Sequence, residues 1–160
     1  MSRPAPYHVA IALSLVMSFA CADESSTTSS DTNVVEIPEI VVNRSTGLEW
    51  PGQDNDAEVN WQEAERFCRD TSRMGKTDWR LPTIDELAGL YDPAAEASCG
   101  DSICRLAEPI RLTSAYLWSA SPENSDRRFY FDFRFGTRLA PLFRPDLTRR
   151  VLCVRSIRGG

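Results

Sequence analysis

One stretch decides the fold: Gly75-Lys76-Thr77-Asp78-Trp79-Arg80-Leu81-Pro82-Thr83-Ile84-Asp85-Glu86-Leu87. Pro82 cannot continue a helix from before it, and it biases Leu81 toward an extended backbone. Thr83 is a favourable N-cap, and Glu86 three residues later completes a capping box. The stretch therefore predicts a helix that begins at Ile84.

Trp79 and Arg80 lie just before this helix. We expect Trp79 to pack in the core and Arg80, which is close in sequence to Asp78 and Asp85, to hold the turn through charge-assisted hydrogen bonds. A direct role of Trp79 and Arg80 in ligand binding is the alternative.

The length and the N-terminus indicate one exported domain. A chain of 160 residues with 42% hydrophobic content is enough for a single core. Residues 1–20 are typical of a signal peptide. Their apolar run from Val9 to Ala20 is long enough for the hydrophobic region of a signal peptide but too short to span a bilayer comfortably. Residues 21–33, mostly Ser, Thr and acidic residues, predict a flexible tether. The folded domain is expected over residues 34–160.

The signal peptide has two candidate cleavage patterns. Ser18-Phe19-Ala20-Cys21 resembles a bacterial lipobox, in which Cys21 is lipidated and becomes the mature N-terminus. Cleavage by ordinary signal peptidase before Asp23 is the alternative. The expected location is the outer membrane or cell surface as a lipoprotein, or else the periplasm or the medium. The only membrane contact expected is the lipid anchor.

Four further cysteines favour disulfides, because their number is even and the chain is exported. Three pairings are possible. Cys99 and Cys104 enclose a short loop with a glycine, so they are the local choice, and Cys68 then pairs with Cys153. Half of a zinc site at Cys99 and Cys104 is the alternative, but the mature chain has no histidine to complete it.

The residue inventory argues against catalysis and against a metal or other cofactor. His8, the single histidine, lies in the predicted signal peptide, so a histidine-based dyad or metal site is ruled out for the mature chain. A glycosidase that uses only carboxylates remains an alternative. Asp54, Asp56 and Glu58 alternate like calcium ligands, but the later glycine and terminal glutamate of an EF-hand are missing. We therefore expect an exposed acidic loop there.

The remaining patterns predict a second helix and several strands. Asn60 and Glu63 form a capping box for a helix that ends near Ser72 and buries Cys68. The strongest alternation has phenylalanine at every second position, at Phe129, Phe131, Phe133 and Phe135. The residues between them are Arg128, Tyr130, Asp132 and Arg134. This alternation predicts a half-buried strand. The four residues 151–154 are apolar and predict a central strand. Two short helices and a mainly antiparallel sheet make an α+β fold.

Several short motifs occur in an order that resembles the Lcl C-terminal domain family, named after a bacterial collagen-like adhesin. They are Thr46-Gly47-Leu48-Glu49-Trp50, the helix from Trp61 to Cys68, Asp78-Trp79-Arg80-Leu81-Pro82-Thr83, Leu117-Trp118-Ser119-Ala120 and Val151-Leu152-Cys153-Val154-Arg155. Trp61, Trp79, Arg80, Pro82 and Trp118 are the signature residues. The match spans roughly residues 43–156.

The resemblance implies a fold of the C-type-lectin-like group. In that group a disulfide joins the first helix to the last strand, which corresponds here to Cys68 with Cys153. The calcium-binding motifs of the sugar-binding members, Glu-Pro-Asn or Gln-Pro-Asp and Trp-Asn-Asp, are absent from this sequence. Calcium-dependent sugar binding is therefore not implied.

Charge divides the chain into two unlike parts. Residues 23–101 contain 18 acidic and 6 basic residues, a net charge of −12, whereas residues 105–160 contain 11 arginines and 5 acids, a net charge of +6. The basic part predicts a binding face for an anionic polysaccharide, formed by Arg128, Tyr130, Arg134 and Arg138. Neutralisation of the acidic part by these arginines is the alternative. A second candidate binding surface is the loop from Ala94 to Leu106.

These observations predict a non-catalytic binding or adhesion module with an anionic glycan or an envelope protein as partner. The alternative is a structural envelope protein that acts through protein contacts. Export and the overall charge of −5 disfavour nucleic acid as a partner.

Overall fold

The structure is a computed structural model and describes residues 37–142 and 144–157. The predicted signal peptide 1–20, the lipidation site Cys21 and the tether 21–33 lie outside the described residues. Two helices and eight strands occur in the described part, in the order β1 (Ile40–Asn43), β2 (Leu48–Pro51), α1 (Trp61–Asp70), α2 (Ile84–Ala88), β3 (Ala97–Cys99), β4 (Ser102–Cys104), β5 (Tyr116–Asn124), β6 (Arg127–Asp132), β7 (Thr137–Leu139) and β8 (Arg155–Ser156).

Both helices begin where their capping boxes predict. The Asn60 side chain accepts a hydrogen bond from the Glu63 backbone, and the Glu63 carboxylate accepts one from the Asn60 backbone. Thr83 and Glu86 form the same pair of hydrogen bonds ahead of α2. Helix α1 ends at Asp70 rather than near Ser72, because the next residue has an extended backbone.

The strands form three small sheets, all antiparallel. Their orders are β1-β2-β8, β3-β4 and β5-β6-β7. The α+β class with two short helices and mainly antiparallel strands is therefore confirmed. The more specific C-type-lectin-like fold stays a prediction.

Two strand predictions were wrong in detail. Residues 151–154 are buried but do not form a regular strand, since only Val154 makes a bridge, to Arg80. Strand β6 ends at Asp132, because the chain turns back at Gly136, which has a φ of 68° and donates from its backbone to the Asp132 carbonyl. Phe135 consequently lies in the turn with 69% of its surface exposed.

The region predicted as a loop, residues 94–106, contains the hairpin of β3 and β4. A disulfide between Cys99 and Cys104 crosses this hairpin, and a second disulfide joins Cys68 of α1 to Cys153. The Cα atoms of the two pairs are 5.8 Å and 5.4 Å apart, respectively. Both predicted pairs are confirmed, and all four cysteines are buried.

The buried side chains form two apolar clusters. One contains Leu87 of α2, Leu117 of β5 and Phe131 of β6, and the other contains Cys68, Trp79 and Trp118 among others. No helix within residues 37–142 and 144–157 has the length and hydropathy needed to cross a membrane.

An ion pair network fixes the end of the domain to the central stretch. Arg155 is almost completely buried, and its guanidinium donates to the carboxylates of Glu49 and Asp78. The hydrogen bonding of Arg155 to the Asp78 carboxylate is the main cause that raises the pKa of Arg155. Asp78 thus binds Arg155 rather than Arg80, contrary to the expectation for the turn.

Candidate functional site

Arginine and aromatic side chains alternate in space on one face of the β5-β6-β7 sheet. The register pairs Tyr116 with Asp132 and Trp118 with Tyr130. Because residues directly opposite each other in an antiparallel pair have side chains on the same face, these four residues share a face. We call this surface the arginine–aromatic face. It is defined by six residues on and beside the sheet: Trp61, Tyr116, Arg128, Tyr130, Arg134 and Arg149.

Arg149 lies at the centre of the arginine–aromatic face. Its guanidinium carbon is 4.5 Å from the ring centroid of Tyr130 and 5.1 Å from that of Tyr116. These distances are within the range of cation–π interactions. The two tyrosine rings are themselves packed edge to face, with centroids 5.7 Å apart. The pair of rings therefore holds one guanidinium in a fixed position.

The backbone brings Arg149 to this position from a distant part of the chain. Arg149 and Val59 exchange two backbone hydrogen bonds, and the next residue, Arg150, donates to the Tyr116 carbonyl. Arg149 is not one of the four residues predicted for the binding face. The available signal was weak: two arginines directly precede the buried run 151–154, and the backbone partner of Arg149, Val59, lies ninety positions earlier in the chain.

Arg134 joins the same face through Tyr116. Its guanidinium carbon is 4.7 Å from the Tyr116 ring centroid. It also forms two hydrogen bonds with the buried carboxylate of Asp132, at 3.0 Å and 2.8 Å. These hydrogen bonds are the main cause that raises the pKa of Arg134. Asp132 thus compensates the charge of Arg134 and fixes its orientation.

Arg128 occupies the other end of the arginine–aromatic face. Its guanidinium carbon is 4.8 Å from the ring centroid of Trp61, and its Nη1 donates to the carbonyls of Asn124 and Arg127. Trp61 is the first residue of α1, and its indole donates to the Ser119 carbonyl at 2.8 Å. A signature residue of the sequence therefore contributes directly to this surface.

Arg138 does not belong with Arg128, Tyr130 and Arg134, so the predicted group of four was wrong in this respect. Strand β7 places Arg138 opposite Phe131, on the other face of the sheet. There its guanidinium lies 2.7 Å from the carboxylate of Asp85 in α2. The turn at Gly136 reverses the chain between Arg134 and Arg138, so proximity in sequence does not give a shared face.

Carboxylates compensate several of the arginines in the basic part of the chain. Besides the pairs of Arg134 and Arg138, Arg150 lies 3.5 Å from Glu58, and Arg144 pairs with Asp146. Within residues 37–142 and 144–157, Arg149 forms no ion pair. The charge of Arg149 is therefore not compensated by a carboxylate of the described residues.

The other signature residues have structural contacts. Trp79 and Trp118 are buried, and their indoles donate to the carbonyls of Lys76 and Val59. The Arg80 guanidinium donates two hydrogen bonds to the Glu86 carboxylate, at 2.8 Å and 2.6 Å. These hydrogen bonds are the main cause that raises the pKa of Arg80. The Pro82 carbonyl accepts from the Ala120 backbone at 2.7 Å.

The acidic loop is exposed at Asp56 and Glu58, as expected, but not at Asp54. Asp54 is buried, and its carboxylate accepts hydrogen bonds from the backbone and hydroxyl of Thr113. Glu58 is the partner of Arg150. Among the described residues, no group of three or more His, Cys, Asp and Glu side chains is placed to hold a metal ion.

The family model of the Lcl C-terminal domain matches residues 39–155, which is well over half of the chain. No curated protein matches the chain significantly. The described strands, helices and both disulfides lie almost entirely within the matched region. The chain therefore belongs to the Lcl C-terminal domain family, which indicates a module related to the cell envelope or to adhesion.

Proposed function

We propose that this protein is a non-catalytic binding module of the bacterial envelope or cell surface, and that its arginine–aromatic face binds anionic polysaccharide. The observation that carries this proposal is the position of Arg149 over the rings of Tyr116 and Tyr130 without a carboxylate partner in the described part of the chain.

The contacts of Arg149 suit the recognition of a carboxylate or sulfate group. Its Nη1 donates to the Thr148 carbonyl at 2.6 Å, while no described hydrogen bond uses Nη2. Because the tyrosine rings fix the guanidinium, little side-chain entropy remains to be lost when an anion binds. A carboxylate or sulfate that approaches Nη2 would form a charge-assisted hydrogen bond.

The tyrosines and Trp61 suit the apolar part of a sugar chain. Tyr116, Tyr130 and Trp61 are all partly exposed, so each presents some ring surface to solvent. A polysaccharide with a negative group on a sugar ring would bring both an anion and an apolar ring face to this surface. The arginine–aromatic face offers both kinds of contact.

Binding without catalysis agrees with the residue inventory. His8 is the single histidine and lies in the predicted signal peptide. The four cysteines after Cys21 are joined in disulfides. We further propose export by residues 1–20 and attachment by a lipid at Cys21. Mass spectrometry of the native mature protein tests both, since it measures the cleavage position and any lipid on Cys21.

Retention on immobilised heparin, a sulfated polysaccharide, tests the proposed binding face. The wild-type chain is expected to be retained at low salt and eluted by added salt, because salt screens interactions between exposed charges. Arg149→Ala is expected to elute at clearly lower salt. Arg138→Ala removes the same charge from the other face of the sheet and is the matched control, with elution unchanged. Uncharged dextran should not retain any of the three proteins.

Two results would contradict the proposal. Absence of salt-dependent retention of the wild-type chain would exclude polyanion binding. If Arg149→Ala and Arg138→Ala lower the eluting salt concentration equally, net charge alone determines retention and the arginine–aromatic face has no special role.

A further inference from the structure

A groove of about 620 Å³ lies beside the disulfide-linked hairpin of β3 and β4. It lies between the region 94–106 and residues 108–111, which contribute nothing to the arginine–aromatic face. Four of the residues that line the groove are apolar or small: Ile37, Ala97, Pro109 and Ile110. Ser98 of β3 also lines it. The groove is therefore a mainly apolar surface with part of a strand along one side.

The strand on this side has an unpaired edge. In the described residues β3 pairs only with β4, through the pairs Ala97 with Cys104, Ser98 with Ile103 and Cys99 with Ser102. The free edge of a strand presents backbone donors and acceptors that another extended segment can pair with. The disulfide between Cys99 and Cys104 holds the hairpin together, so the edge is formed before any partner binds.

The charged residues around the groove favour a cationic partner. Glu96 and Glu108 line the groove together with a single arginine, Arg111. The Glu96 side chain is 70% exposed, and its nearest cation, Arg105, is 4.0 Å away. Glu108 accepts a hydrogen bond from the neutral Asn43 side chain at 2.7 Å. Two carboxylates therefore outnumber one guanidinium among the residues that line the groove.

We propose that this groove binds an extended peptide segment of a partner protein, which adds to β3 as a strand. Alternate side chains of an extended peptide point to one side, so apolar residues at every second position would enter the groove. A lysine or arginine of the peptide would pair with Glu96 or Glu108. Because β3 has three residues and forms few backbone hydrogen bonds, the side-chain contacts in the groove must contribute much of the affinity.

Selection from a library of random octapeptides displayed on phage, with the full chain as bait, tests this proposal. The selected peptides should carry apolar residues at alternate positions together with lysine or arginine. Ser98→Pro removes a backbone donor from the edge of β3 and should weaken the selected peptides at least tenfold. Ser98→Ala keeps that donor and is the matched control, with unchanged affinity.

Two further measurements keep the test valid if Ser98→Pro does not fold. A selected peptide can be synthesised in two versions, with N-methyl groups at the odd or at the even positions. Only the version whose N-methyl groups face β3 should lose binding to the wild-type chain. The double variant Glu96→Gln/Glu108→Gln should bind the unmodified peptide about threefold to tenfold more weakly at low salt. Arg149→Ala should bind it as the wild type does, which separates this site from the arginine–aromatic face.

The proposal is overturned if no peptides are enriched on the full chain. It is also overturned if both N-methylated sets bind as well as the unmodified peptide, since strand addition requires backbone hydrogen bonds. Unchanged affinity in Glu96→Gln/Glu108→Gln would remove the proposed preference for a cationic partner.

Discussion

The guanidinium of Arg149 lies over the ring of Tyr130, with its central carbon 4.5 Å from the ring centroid. The two residues are 19 positions apart in the sequence, and the backbone pairing of Arg149 with Val59 and of Arg150 with Tyr116 brings them together. Tyr130 also packs edge to face against Trp118, with centroids 6.1 Å apart. The ring that supports the proposed anion contact is therefore tied directly to the buried cluster.

Replacement of Tyr130 by leucine should destabilise the protein. The variant loses one cation–π contact and two edge-to-face contacts, so the free energy of unfolding should fall by about 1–3 kcal/mol. Urea unfolding of both proteins measures this difference. Tyr130→Phe keeps the ring, and its free energy of unfolding should stay within about 0.5 kcal/mol of wild type. If Tyr130→Phe and Tyr130→Leu lose equal stability, the ring contacts are not the cause.

The features that the sequence predicted correctly depend on few residues. A capping box is complete within four positions, so Asn60 and Thr83 located the starts of both helices. The disulfides followed from four cysteines of which two are close in sequence. Such signals need no knowledge of the surrounding structure.

The features that were not predicted from the sequence depend on pairing between distant segments. Arg149 reaches the arginine–aromatic face because its backbone pairs with Val59, and no local pattern specifies that register. Arg138 was misplaced because one turn, at Gly136, determines which face of β7 it occupies. The apolar residues 151–154 were correctly expected to be buried, but burial alone does not require regular strand pairing.

The two disulfides should contribute unequally to stability. Cys68 and Cys153 are separated by 85 positions, and Cys99 and Cys104 by 5. The chain-entropy estimate gives about 4.6 kcal/mol for the longer loop and about 2 kcal/mol for the shorter one. Denaturant unfolding of Cys68→Ala/Cys153→Ala and of Cys99→Ala/Cys104→Ala compares them. A larger loss in the second double variant would show that the hairpin disulfide acts mainly through native contacts rather than through loop entropy.

The ion pair of Arg80 and Glu86 should make stability depend on acid pH. Burial alone would raise the pKa of Glu86, but hydrogen bonds from Arg80 and the Thr83 backbone, together with the charge of Arg80, lower it overall. A lowered folded pKa means that the stabilisation is present above the unfolded value, about 4.3, and is lost as pH falls through the folded pKa.

Comparison of wild type with Glu86→Gln between pH 2 and pH 7 measures this dependence. The wild-type chain should be the more stable protein above about pH 5, and the difference should shrink as pH falls below about 4.3. Asp85→Asn, which changes an exposed neighbour in the same helix, should show a smaller pH-dependent difference. A difference between wild type and Glu86→Gln that stays constant over the whole range would contradict the assigned role of the carboxylate.

Gly136 should tolerate alanine less well than Gly75 does. Both residues have positive φ, 68° at Gly136 and 71° at Gly75, so alanine is strained at either position. A Cβ atom at Gly136 would lie 2.7 Å from the Tyr91 ring, whereas one at Gly75 would have no neighbour within 4 Å. We expect Gly75→Ala to cost about 1–2 kcal/mol for the backbone alone, and Gly136→Ala to cost about 1–3 kcal/mol more for overpacking. Thermal or urea unfolding measures both values. Equal losses would mean that Tyr91 moves aside freely and does not fix the turn that separates Arg134 from Arg138.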